Sequence, residues 1–161
     1  MEDSMYIHSI KVTLSKIGMT PPLTNIYGRK SLQKYIIFPR VRIKYRNIDS
    51  LDYNGISKTV DLKDAGLTEK NWAGACCGVT WFLVSNSSCY TLYDINGNFI
   101  KHLFISEVGE LNGRGSRFFT TCTPDGTERV WWEDGSLKNE YKLSSDRIHK
   151  VNVLRKGESM W

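Results

Sequence analysis

Apolar and polar residues alternate with a period of two through much of this chain, the pattern of strands that bury one face and show the other to water. Residues 5–14 (MYIHSIKVTL) predict such a strand, with Tyr6, His8, Ile10, Val12 and Leu14 as its core face. Residues 35–38 form a short apolar run that is interrupted at Pro39, a residue without a backbone donor and therefore expected at a sheet edge or bend. The alternation then resumes strictly in RVRIKYR. Val41, Ile43 and Tyr45 fall on one side, and Arg40, Arg42, Lys44 and Arg46 on the other. Asn54-Gly55 is the two-residue turn that best fits the twist of a hairpin, and it predicts a returning strand over residues 56–62.

The second half repeats this grammar. Strands are expected over residues 80–85, 89–94 and 99–104, joined by the turns Asn86-Ser87-Ser88 and Asn96-Gly97, and again over 117–123, 127–133 and 137–143, joined by Pro124-Asp125-Gly126 and Asp134-Gly135. Superposing the two meanders brings Phe82 onto Phe119 and Gly97 onto Gly135. That spacing resembles the blade period of β-propellers, but 161 residues leave room for three such units at most, too few to close a ring. The expected fold is mainly β: a single domain, residues 1–161, of sequential antiparallel hairpins in a sandwich or barrel-like arrangement, with a frayed C-terminal end. Helix is confined to one or two short pieces, over residues 67–73 and near 106–111.

Charge changes the picture at one place. Residues 28–46 hold seven of the 22 Lys and Arg, namely Arg29, Lys30, Lys34, Arg40, Arg42, Lys44 and Arg46, and none of the 17 acids. The rest of the chain is slightly acidic, so the formal charge of +5 is a local feature. On a strand the last four of these cations form a one-sided ladder, with neighbours about 6.7 Å apart along the chain. A solvated strand face or a protected sheet edge uses the same residues. The run of four without an acid favours instead a surface that meets phosphates or another polyanion, with Arg29, Lys30 and Lys34 supporting it on the approach.

Other chemistry is poorly supported. Cys76, Cys77, Cys89 and Cys122 lack paired C-x-x-C spacing, and the histidines are scattered, so no metal site and no cofactor is expected. A cysteine hydrolase would need Cys76 or Cys77 to meet His102, with Asp94 orienting the imidazole. Asn112 to Ser116 (NGRGS) lacks P-loop spacing and reads as a flexible connection. Trp131 and Trp132, adjacent on one strand, must face opposite ways, so one is expected outside as an aromatic contact; Trp81, Tyr90 and Tyr93 raise the same question. The opening residues carry acids and no apolar leader, which predicts a cytoplasmic protein without a membrane span. The expectation is a non-enzymatic protein that binds nucleic acid or another polyanion. The alternative is an interaction module, an inhibitor or accessory factor of phage or mobile-element type, that binds an acidic protein partner.

Overall fold

The computed structural model describes residues 5–19, 35–47 and 56–143. It is mainly β, as the alternation predicts: antiparallel hairpins follow one another in chain order and build three sheets, and no barrel closes among the described residues. The first sheet contains β1 (Met5–Met19), β2 (Tyr35–Asn47) and β3 (Ser57–Asp61) in sequence order. The second contains β4 (Trp72–Cys77), β5 (Trp81–Asn86), β6 (Cys89–Asp94) and β7 (Phe99–Phe104). A single helical turn, α1 (Ile105–Val108), leads to the third sheet, β8 (Glu110–Arg114), β9 (Phe118–Cys122), β10 (Thr127–Trp132) and β11 (Leu137–Lys142).

The sheets stack in layers with the second in the middle. Its strand β5 is buried on both sides, which is why the sequence there reads as a continuous apolar run and not as an alternation. Phe82, Val84 and Tyr93 turn one way and pack with Ile7, Val41, Ile43 and Tyr45 of the first sheet. Trp81, Leu83, Tyr90 and Leu92 turn the other way and pack with Phe119 and Trp131 of the third. Stacking is continued by Phe82 on Tyr93, 5.0 Å between ring centroids, and by Trp81 tilted on Phe119 at 5.2 Å. Leu62, Ala65 and Leu67, in the connection from β3 to β4, complete the first core.

The repeat seen in the sequence is physical. Gly78 and Gly115 stand three residues before Trp81 and Phe118, and in each case a Cβ would collide with the aromatic ring that lies over the glycine. The two loops are tied together and to β1, because Ile7 N donates to Val79 O at 2.8 Å and Val79 N to Ser116 O at 3.0 Å. At the far ends the hairpin turns lean on the preceding sheet. Gly97 sits at φ +87° against Val60 of β3, while Gly135 sits at φ +83° against Lys101 of β7. Lys101 Nζ donates to Gly135 O at 3.0 Å, and Lys58 Nζ to Asn96 O at 2.9 Å.

Three local expectations are corrected. The piece over residues 67–73 is not a helix: Thr68 does cap a turn, its Oγ1 accepting from Asn71 N at 3.2 Å, but the chain then enters β4 at Trp72. Asn112, Gly113 and Arg114 belong to β8 and not to a flexible connection, and Arg114 Nη1 donates to Cys77 O at 3.3 Å. On β1 the core face changes phase. A β-bulge lies between Ile7 and Ser9, so Met5 and Ile7 point inward before it and Ile10, Val12 and Leu14 after it, leaving Tyr6 on the opposite face and His8 exposed.

Candidate anion-binding face

The site is assembled by β2 as the central strand of the first sheet. Val41 and Ile43 are completely buried and Tyr45 nearly so, and Tyr45 donates its hydroxyl to Ile95 O at 2.6 Å. Burying Val41 and Ile43 contributes about 1.5–3 kcal/mol apiece, which fixes the strand's facing. Period two then obliges Arg40, Arg42, Lys44 and Arg46 to the outer side. Arg42 and Lys44 are exposed, Arg40 and Arg46 half-buried. Pro39 falls one residue beyond the last β2–β3 pair, Arg40 with Asp61, so its missing donor costs no ladder bond on that side, and its carbonyl accepts from Leu62 N at 2.9 Å.

Register places the neighbours. On β1, Tyr6 lies opposite Arg46, Ser9 opposite Lys44, Lys11 opposite Arg42 and Thr13 opposite Arg40. On β3, Ser57 lies opposite Lys44, Thr59 opposite Arg42 and Asp61 opposite Arg40. The outer face is therefore a spine of cations with Lys11 beside it, flanked on both sides by hydroxyls. Asp61 is the only acid on the described residues of the three strands, and its carboxylate lies 3.4 Å from Arg40 Nε. Lys11 was not identified as part of this site from sequence; its opposition to Arg42 depends on the bulge at His8, which shifts the pairing of β1 against β2. Arg29, Lys30 and Lys34 lie outside the described residues, as do Gly55 of the expected hairpin turn and the C-terminal segment from residue 144.

The aromatic candidates separate. Trp131 is an interior residue, 8% exposed, its Nε1 donating to Thr121 Oγ1 at 3.0 Å and its ring stacked on Phe119. Trp132 faces outward, 40% exposed, with Lys138 Nζ 4.9 Å from its ring centroid. Trp81, Tyr90 and Tyr93 are core residues. Trp132 stands on the third sheet and the ladder on the first; among the residues with described side chains, Tyr6, opposite Arg46, is the ring that register places on the cationic face.

The hydrolase constellation is not assembled. β4 and β7 are the opposite edges of a four-stranded sheet, which sets Cys76 and Cys77 about 14 Å from His102 at three strand spacings. His102 Nδ1 instead lies 3.0 Å from Thr91 Oγ1, and Asp94 accepts from the backbone of Asn96 and Asn98 in the β6–β7 turn. Burial pushes the Cys76 thiol up to about 11, against the opposing pull of Arg114, and raises that of Cys77 as well. Among the described residues no group of three or more His, Cys, Asp and Glu side chains converges to hold a metal ion. No described helix is long and apolar enough to cross a membrane.

No family model, no curated protein and no solved structure matches this chain.

Proposed function

We propose that the protein binds a polyanion, foremost the phosphodiester backbone of a nucleic acid, on the outer face of its first sheet. The reading is carried by one observation: Arg42 and Lys44 stand exposed on a central strand between Arg40 and Arg46, with Lys11 alongside and, among the described residues of the three strands, a single acid, Asp61. Binding on such a face would release condensed counterions for each phosphate it neutralises. The raised thiols of Cys76 and Cys77 weigh against these two cysteines as nucleophiles, because the thiolate is the reactive form.

The test is a fluorescence polarisation titration of labelled nucleic acid at low salt with the intact chain and with a variant in which Arg40, Arg42, Lys44 and Arg46 are all Ala. The expected result is saturable binding by the first and a loss of at least tenfold in the second. Equal binding by both proteins, or by neither, overturns the proposal.

A second reading, an interaction module for another protein, draws on β7. This strand is a sheet edge whose Phe99 and Phe104 are 42% and 48% exposed on either side of His102. Strand addition at such an edge would supply backbone hydrogen bonds, and the rings would supply apolar contact. Recovery of one stoichiometric protein partner that survives nuclease treatment and the loss of the four cations would select this reading over the first.

A further inference from the structure

We infer that β7 is a dimer edge: it pairs antiparallel with β7 of a second copy of this chain, about a two-fold axis through His102. This rests on the strand-addition reading of β7 and names its partner; the anion-binding face does not enter it. No described strand pairs with the outer side of β7. Charged side chains are a common guard of such edges, and Lys11, Lys58, Glu110 and Lys138 stand on the edge strands β1, β3, β8 and β11. The lysine of β7 is spent elsewhere: Lys101 Nζ donates to Gly135 O at 3.0 Å and lies 5.5 Å from the Trp131 ring centroid, both on the third sheet. What the edge presents is a row of rings. Phe99 lies 4.9 Å from His102 and His102 6.4 Å from Phe104, centroid to centroid, with the two phenylalanines 42% and 48% exposed. Phe99 also meets Tyr93 of the first core edge-on, whereas Ile100 and Leu103 turn the other way into the second core.

The strand is complementary to itself. Ile105 N donates to Ser88 O at 2.9 Å, so the antiparallel alternation commits the backbone groups of Leu103 to β6 and directs those of His102 and Phe104 off the edge. A two-fold through His102 lets each copy's His102 N–H donate to the other's His102 carbonyl. It also sets Leu103 opposite Lys101 and Phe104 opposite Phe99 of the second copy, with Ile100 left over as the extra residue of the bulge it already forms against β6. Facing residues then share a face along the whole strand, rings against rings on one side and Leu103 against the Lys101 stem on the other. With about 200 Å² to a Phe side chain, the four half-exposed rings withdraw roughly 350 Å² of apolar surface, which places the contact among the small, transient interfaces of about 1,200 Å² or less. The expected dimer is therefore micromolar and not obligate.

Sedimentation equilibrium of the nuclease-treated protein over a concentration series is expected to show a monomer–dimer equilibrium. Phe104→Lys and Phe99→Glu should each weaken it at least about tenfold, since by symmetry each change enters twice. Combined in one chain, the two should return the dissociation constant to within about threefold of the unchanged protein, because position 104 faces position 99 of the second copy and the opposite charges attract there. Within one chain the two positions stand about 15 Å apart along the strand, so the rescue cannot be internal. Tyr141→Lys, at an exposed ring on β11, should leave the equilibrium unchanged. Both phenylalanines are half exposed, so the variants are expected to stay folded, as urea midpoints will verify. A chain that is monomeric throughout, a dimer indifferent to Phe104→Lys, or a double variant no better than the single ones overturns the inference. The strand-addition reading outlives that result if one stoichiometric protein partner is recovered with the unchanged chain and lost with Phe104→Lys, and it falls as well if that partner is indifferent to both edge substitutions.

Discussion

Trp131 and Trp132 are covalent neighbours of identical chemistry with opposite energetic weight. Trp131 fills the layer between the second and third sheets, with its indole nitrogen satisfied by Thr121 and Lys101 Nζ 5.5 Å from its ring centroid. Trp131→Ala removes a large buried ring and strands the Thr121 hydroxyl, and the expected cost is about 3–5 kcal/mol. Trp132→Ala loses an exposed ring and its contact with Lys138, an exposed cation–π pair worth about 0.5–1 kcal/mol. Urea unfolding of the two variants is expected to separate them by at least 2 kcal/mol; similar midpoints would contradict the layer assignment.

On the scale of the element, β2 makes the same division along its length. Ile43→Ala should cost about 2–5 kcal/mol as a core truncation, whereas Arg42→Ala, at an exposed position, should stay within about 0.5 kcal/mol. Equilibrium denaturation checks the pair, and a large loss in Arg42→Ala would mean that the ladder serves the fold. This strand was legible because its alternation is strict and its polar positions are all charged. So were the meander strands and their Asn-Gly and Asp-Gly turns, where composition and period agree. β4 and β8 were not: WAGACC and ELNGR carry small residues and glycines where an apolar alternation would be read, and they are strands because β5 and β9 pair with them. The phase of β1 was misread for a different reason. A bulge adds one residue on one strand only, and nothing in MYIHSIKVTL marks His8 as the extra one. The ladder was therefore readable, but its neighbours Lys11, Tyr6 and Asp61 were not, since register is a property of the pairing.

On the scale of the molecule, the stacking places ionisable groups between layers. Burial raises Tyr45, with Asp94 adding to it, and raises Tyr93 strongly, with Asp64 and Cys89 adding; Cys76 is pushed up to about 11 by burial. Each group is neutral in both states near pH 7. Above about pH 9 to 10 the unfolded chain begins to release these protons while the folded chain retains them, so the contribution to stability is whole below that range and is lost as pH rises through the folded values. The urea midpoint should be flat from pH 6 to 8 as far as these groups are concerned and fall steadily from pH 9 to 11. Tyr45→Phe should make the fall shallower. A midpoint unchanged to pH 11 would place these groups in contact with solvent.

The double life of β2 also has an evolutionary meaning. Every second codon from 41 to 45 is held by the interior, while the intervening codons at 42 and 44 answer only to whatever touches the surface. Selection can then rewrite the outer set by single substitutions without passing through unfolded ancestors, and a lineage can change what its outer face presents while its fold stays where it is. A laboratory library randomised at 42, 44 and 46 would walk the same path.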